Sequence, residues 1–276
     1  MNSAMKKFDL QNRIALITGG AGLLGRQHAL AILAGNGRPV LLDIDGKKLQ
    51  EAAREIKSKS GKQIATYVLD ITDEKAVQKT VSKISRGLGP IEILINNAAN
   101  TSPVKKGGQA SNRLESFDLK KWDQDLAVGL TGAFLMSKIA GAQMAKNGRG
   151  VILNMASDLG VIAPDQRLYR KAGLASHQQP VKAVTYSVVK HGIIGLTRYL
   201  ATYWADQGVR VNSLSPVGVQ TSEMPAEFVK RVSSLVPMGR MAKVDDYQAA
   251  VLFLVSDASS YMNGTNLIID GGRTGW

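Results

Sequence analysis

Tyr186 and Lys190 stand four residues apart in the run Tyr186-Ser187-Val188-Val189-Lys190. In a helix that spacing puts both side chains on one face, with β-carbons about 5–6 Å apart. An ammonium beside a phenol favours the phenolate. The pair therefore predicts a tyrosine pKa lowered from its ordinary value near ~10 toward neutral pH. A phenol poised in that way exchanges a proton with an alcohol or a ketone. Any two surface residues can supply a Y-x-x-x-K match, so its meaning depends on what surrounds it.

A glycine-rich turn near the N-terminus is the second chemical signal. Arg13-Ile14-Ala15-Leu16-Ile17 reads as a buried strand, Thr18-Gly19-Gly20-Ala21-Gly22-Leu23-Leu24-Gly25 as a turn, and Arg26 to Ala34 as a helix. Strand, glycine turn and helix N-terminus together form an anion site, because backbone N–H groups and the helix dipole face the bound phosphate. The next strand, Val40-Leu41-Leu42, ends at Asp43. A carboxylate at that distance from the turn can accept both hydroxyls of an adenosine ribose and repels a 2′-phosphate. Ile44 follows, with Lys47 and Lys48 close by, and the balance favours NAD over NADP. Asp43 and Asp45 can alternatively serve as helix N-caps.

The elements that must position these groups alternate along the whole chain. Strands are expected near 13–18, 39–43, 64–69, 91–96, 150–154, 209–213 and 266–270. A long helix is expected from about Leu119 to Ala145, and another from about Ala183 to Asp206 carrying Tyr186 and Lys190. The apolar, β-branched strands suit a sheet buried on both faces. The order predicts an α/β fold, a doubly wound parallel seven-stranded sheet with helices on both faces and the ligand at the carboxyl ends of the strands. The 276 residues are 44% hydrophobic, enough for one domain of this type. Residues 13–276 are read as that domain, with 1–12 as an N-terminal extension. Met5 is a second candidate start, with residues 1–4 added upstream.

Composition excludes several classes. The chain has no cysteine, so it offers no disulfide framework, thiol nucleophile or thiolate zinc site. His28, His177 and His191 are scattered, and no metal site is expected. No run of about 18 apolar residues marks a membrane span. The first residues lack the apolar core of a signal peptide, so a cytoplasmic location is expected. The net charge of +13 permits nucleic-acid binding, but no aromatic-studded basic stripe supports it.

In order along the chain, the motifs resemble those of the short-chain dehydrogenase/reductase family, in its compact single-domain branch. Besides the turn and the Tyr186–Lys190 pair they include Asp70 after the third strand, Asn96-Asn97-Ala98-Ala99 after the fourth and Asn154-Met155-Ala156-Ser157 ending the fifth. Ser215-Pro216 with Thr221 follows the sixth, and Gly264 to Gly272 matches the closing strand. The resemblance implies a Rossmann-type fold and hydride exchange with a nicotinamide. It implies Tyr186 as proton donor and acceptor, Lys190 lowering its pKa and contacting the nicotinamide ribose, and Ser157 bonding the substrate oxygen. It carries cofactor contacts onto Thr18, Gly19, Gly22, Leu24, Gly25, Asp43, Asp70, Ile71, Asn97, Ala98, Tyr186, Lys190, Pro216, Val219 and Thr221. Three positions depart from the family pattern. Leu23 stands where compact members carry glycine, Gly129 where they carry an asparagine that helps hold a water beside the lysine, and Val217 where glycine follows the proline. A water filling the space at Gly129 and a stiffer loop at Val217 are the expected consequences.

The substrate is expected to be a small polar molecule. The segment 158–182, between the serine and the tyrosine, is long for the family and overhangs the site. It carries Arg167, Arg170, Lys171 and Lys182 against Asp158 and Asp165, and the opposite wall carries Lys105, Lys106 and Arg113. This basic bias predicts an anionic sugar-type substrate, phosphorylated or nucleotide-linked. The insert and the ending Asp270 to Trp276 also resemble members tied to bacterial surface-glycan or flagellin-sugar modification. Reduction of 3-oxoacyl groups on acyl carrier protein is the alternative, as is a non-catalytic dinucleotide- or partner-binding role. The resemblance implies a homodimer or homotetramer joined through the two long helices. Leu126, Leu130, Ala133 and Phe134 fit an amphipathic face that serves either that contact or the core.

Overall fold

The computed structural model describes residues 3–100 and 112–276. Among the described residues seven strands form one parallel sheet: β1 Ile14–Thr18, β2 Arg38–Asp43, β3 Ala65–Val68, β4 Ile91–Asn96, β5 Gly150–Met155, β6 Val209–Pro216 and β7 Asn266–Ile269. Their spatial order is β3-β2-β1-β4-β5-β6-β7. Helices connect them: α1 Ser3–Lys6, α2 Leu23–Ala34, α3 Gly46–Ser60, α4 Glu74–Leu88, α6 Val184–Tyr203, α7 Ala226–Ser233 and α8 Gln248–Val255, with the rod Leu119–Lys146 as α5. This is the Rossmann-type arrangement that the alternating pattern predicts. The strand order reverses between β1 and β4, and a crevice opens there at the carboxyl ends of the strands.

Side chains alternate faces along a strand, and the core follows that period. Ile14 and Leu16 join the core under α4, α5 and α6, with Val77, Val81, Met136 and Ala140. Ala15 and Ile17 point the other way, into the core under α2, α3 and α8, with Ala29, Ile32, Leu49 and Val251. Each aliphatic side chain so buried contributes about 1.5–3 kcal/mol relative to exposure. Leu10 is fully buried in the second core and ties the segment before β1 to the sheet. Local signals set the ends of the connecting helices. Asp45 caps α3 by accepting the Lys48 N–H at 3.0 Å, and Asp73 caps α4 through the Ala76 N–H at 3.0 Å.

The α5 rod contains wider π-type turns at Ala127–Thr131 and Ser137–Gly141. By length and composition it could cross a membrane. Here it is a core helix, with Met136, Ala140 and Met144 fully buried against the sheet. The segment 158–182 is built from short turns at Asp158–Gly160, Gln166–Tyr169 and Ser176–Gln178, and it leads into α6.

Candidate active site

The β1–α2 turn is tied to its neighbours from every side. Thr18 is buried, and its hydroxyl oxygen accepts the backbone N–H groups of Asn97 at 3.0 Å and Ala98 at 3.1 Å. The Asn97 amide donates back to the carbonyls of Thr18 at 3.0 Å and Gly19 at 3.1 Å. His28 on α2 completes the clamp, with Nε2 3.2 Å from Asn97 Oδ1. Its pKa is pushed down to about 4 by burial, with the Asn97 contact opposing, so the ring is a neutral donor. Gly19 has φ +60°, a backbone shape that side chains disfavour. At Gly25 a β-carbon would overlap the Gly19 carbonyl, so only glycine lets α2 start this close to the turn. The Asp43 carboxylate reaches the same turn, accepting the Ala21 N–H at 3.1 Å and the Asp45 N–H at 3.1 Å. Asp45, rather than Asp43, is the N-cap of α3.

Ser157, Tyr186 and Lys190 converge across the cleft. Ser157 follows β5, while Tyr186 and Lys190 lie in the first turns of α6. Lys190 is buried, and its Nζ donates to the Met155 carbonyl at 2.7 Å. It lies 5.8 Å from the Tyr186 ring centre, and Lys182 Nζ lies closer, at 3.8 Å. Burial, and then the charge of Lys182, push the Lys190 pKa down to about 8. The sequence expectation for Tyr186 is corrected here. Its pKa is raised, first by burial, with contact from Ser157 opposing and the Asp158 charge adding to the rise. Desolvation of the phenolate outweighs the lysine, whose ammonium is turned toward the Met155 carbonyl.

A cleft of about 440 Å³ joins the two halves. Of the residues expected to hold a cofactor, Gly19, Gly22, Leu24, Asp43, Asn97, Ala98, Tyr186, Lys190, Pro216, Val219 and Thr221 border it, together with Ser157. Thr18 and Gly25 support the turn from behind. Asp70 and Ile71 are not in the described lining. Asp70 closes its own turn by accepting the Thr72 N–H at 2.9 Å and the Thr72 hydroxyl at 2.7 Å. Ile71 is buried, against the α5 backbone at Gly132. The sequence reading missed Met155, Ala156 and Met224, which also line the cleft. Apolar types carry no chemical signal in a sequence, although Met155 and Ala156 sit beside Ser157 in a motif already singled out. Asn96 and Asn154 have a bracing role. Asn96 donates to Asn154 Oδ1 at 2.8 Å and Asn154 to Thr197 at 2.9 Å, which locks β4, β5 and α6 together behind the site.

The departures resolve physically. A β-carbon at Gly129 would lie 2.5 Å from a Val189 methyl. The isopropyl group of Val189 packs against Gly129, and Lys190 still borders the cleft. Val217 is not among the residues with positive φ. Its carbonyl accepts the hydroxyl of buried Tyr247 at 2.8 Å, which anchors the loop to the start of α8. The basic insert is also corrected in part. Arg167 is exposed and pairs with Asp165 at 2.8 Å, and Arg170 and Lys171 are exposed. Lys182 is the insert cation that reaches the site, and it has no ion-pair partner among the described residues. On the opposite wall Arg113 pairs with Glu115 at 3.1 Å. Lys105 and Lys106 lie outside the described residues. His191 is exposed and contacts the Ser187 carbonyl at 2.9 Å, one helical turn back.

A fold of this order with these groups at the strand ends defines a nicotinamide-dependent oxidoreductase. The chain matches the family model described as Enoyl-(Acyl carrier protein) reductase over residues 22–274. It belongs to the short-chain dehydrogenase/reductase family, in which named relatives are dehydrogenases acting on CH–OH groups and solved neighbours hold NADP or NAD+. It is 32% identical to a D-threitol dehydrogenase of Mycolicibacterium smegmatis, over 97% of this chain and 95% of that protein. It is 33% identical to an NAD-dependent glycerol dehydrogenase of Listeria innocua, over 98% and 96%. Among solved structures it resembles a gluconate 5-dehydrogenase from Burkholderia cenocepacia in complex with NADP and tartrate. That match has a TM-score of 0.83 and 26% identity, over 99% of each chain.

Proposed function

We propose that this protein is an NAD(H)-dependent oxidoreductase that interconverts a hydroxyl and a carbonyl on a polar, anionic sugar-type substrate. The observation that carries the reading is the meeting of Ser157, Tyr186 and Lys190 with the glycine turn and Asp43 on one cleft. The residues present fit a dinucleotide. The turn at Gly19 to Gly25 would cradle a pyrophosphate, and Asp43 would accept a ribose diol. Lys190 would contact the nicotinamide ribose, and Pro216, Val219 and Thr221 would cover the nicotinamide. When bound, the nicotinamide supplies hydride donation and acceptance.

The chain's own residues handle the proton. The raised pKa of Tyr186 keeps its phenol protonated through neutral pH, which suits donation to a carbonyl oxygen during reduction. Alcohol oxidation needs the phenolate, so its rate should climb with pH while reduction slows. Ser157 borders the same cleft, and its oxygen can accept the hydroxyl of an alcohol substrate while its own proton is on Asp158. Lys182, unpaired beside Tyr186, is the group that would receive a substrate carboxylate or phosphate. A polyol dehydrogenase and a gluconate dehydrogenase among the relatives support polar, hydroxylated substrates of this size. Exposed Phe134, Tyr199 and Tyr203 on the two long helices support self-association through them.

The test is an initial-rate survey of polyols, sugar acids, sugar phosphates, nucleotide sugars and acyl thioesters with NAD(H) and NADP(H), backed by fluorescence titration of NADH and NADPH. Turnover of a sugar acid or phosphate with NAD(H), and a KM for it that rises several-fold in Lys182→Gln while a neutral polyol is unaffected, is the expected result. Exclusive turnover of acyl thioesters would overturn it.

A further inference from the structure

Directly behind Ser157 lies a buried charged chain that the proton exchange above does not use. Ser157 donates its hydroxyl proton to Asp158 Oδ1 at 2.8 Å. The same carboxylate oxygen accepts the Leu159 N–H at 2.9 Å. Its other oxygen lies 3.3 Å from Arg273 Nε. Asp158 is 4% exposed and Arg273 8%. Arg273 is delivered by the turn after β7, where Asp270 accepts the N–H groups of Gly272 at 2.9 Å and Thr274 at 2.7 Å. A buried carboxylate is costly unless it is paired and hydrogen-bonded, and this one is placed one residue from the serine that faces Tyr186.

A serine hydroxyl has a single proton to give. That proton can go to the Tyr186 oxygen, where it favours the phenolate, or to Asp158. In the structure it goes to Asp158. The Asp158 charge also opposes a second negative charge on Tyr186 a short distance away. We propose that Asp158 is a positioning residue that controls Tyr186 through Ser157: it holds the serine proton away from the phenol and keeps that phenol in its protonated, donating form, while Arg273 fixes the carboxylate in place. The proposal rests on Tyr186 being the proton-exchanging group. It gives the site a built-in bias toward carbonyl reduction near neutral pH.

The charges around Asp158 come from several elements. Arg273 and Asp270 face it from the turn after β7, Lys182 and Tyr169 from the insert, Tyr186 from α6 and Tyr247 from the start of α8. Burial raises the Asp158 pKa, and its contacts with Ser157, Arg273 and the Leu159 N–H oppose that rise. The Asp270 charge works with burial. Among the described residues Lys182 and Lys190 both lie near the Tyr186 ring and neither is paired with a carboxylate, so loss of the Asp158 charge leaves a net positive surrounding for Tyr186.

The test reads Tyr186 directly. Tyrosinate absorbance is titrated in the wild type and in Tyr186→Phe, and the difference gives the midpoint of that one phenol without any turnover. Asp158→Asn keeps an acceptor of similar shape but removes the charge. It should lower the Tyr186 midpoint by about one unit. The acidic limb of alcohol oxidation should move to lower pH by the same amount. Asp165→Asn, a half-buried carboxylate of the same insert that pairs with Arg167, should leave the midpoint in place. Asp158→Ser, smaller and neutral, carries the same expectation if the asparagine variant does not fold. An unchanged or raised midpoint in the neutral variant that folds would overturn the proposal. Absence of turnover in the wild type would sink the oxidoreductase reading alone, because the titration stands without it.

Discussion

The β1–α2 turn and the insert 158–182 face each other across one cleft, and they are built on opposite plans. In the turn, Thr18, Asn97, His28 and Asp43 are tied to one another and to the backbone by hydrogen bonds of 3.0–3.2 Å. In the insert, three short turns carry mostly exposed side chains, and Asp158 and Lys182 at its two ends reach toward Ser157 and Tyr186. The pyrophosphate and ribose of a dinucleotide are the same in every reaction, so a rigid cradle suits them. A substrate varies between relatives, and the segment over it is a loop that can change without disturbing the sheet. The contrast teaches where to look for each property: affinity for the cofactor in glycine geometry, choice of substrate in a few side chains at the ends of the insert.

The largest effect expected from this contrast concerns stability of the rigid side. Folded His28 has a pKa of about 4 against an ordinary 6.5, so the unfolded chain takes up the proton first as pH falls. Stability from keeping it neutral is fully present above pH 6.5 and is lost between there and pH 4. The gap corresponds to about 3 kcal/mol. Urea denaturation across that range should show the loss, and His28→Gln should flatten it. Equal slopes in both proteins would mean that His28 is not held as described. Next in size is Gly25→Ala. Its β-carbon must displace the Gly19 carbonyl, and NADH affinity should fall about a hundredfold, or about 2.7 kcal/mol. Unaltered binding would show that the turn is adaptable after all. Asp43→Ala should narrow a preference for NAD(H) of at least about tenfold, worth about 1.4 kcal/mol, measured by titrating both cofactors. The smallest effect is assigned to the other side. Changing Arg167, Arg170 and Lys171 together to Gln should alter the KM of an anionic substrate by no more than about twofold, because exposed charges are screened. A steep rise would return those three residues to the substrate site.

How much of this was legible in the sequence follows the same division. Strand positions and the glycines of the β1–α2 turn were readable because period-two burial and backbone geometry leave residue-type signatures, whereas Gly218, which also lines the cleft, was not. The pairing of Asn97 with Gly19 and of Asn96 with Asn154 was not readable, since amides at strand ends look alike whether they brace or bind. The direction of the Tyr186 pKa was misjudged from spacing alone. Four residues of helix place a lysine nearby, but only the fold reveals that the phenol is desolvated and that the ammonium leans on the Met155 carbonyl. Gly129 read as a vacancy because its partner, Val189, lies on another helix. The insert was legible as charge but not as geometry. Arg167 and Asp165 are two residues apart and neutralise each other, whereas Lys182 gains its place on the extended stretch leading into α6, four residues before Tyr186.

The central claim is that Tyr186 moves the proton while a nicotinamide bound across the cleft moves the hydride. The most direct test compares steady-state turnover and NADH affinity in the wild type and Tyr186→Phe, which keeps the ring and removes the hydroxyl. The account predicts a fall in kcat of at least about a hundredfold, the low end of acid–base contributions, with NADH binding nearly unchanged. Full turnover in the phenylalanine variant would contradict it.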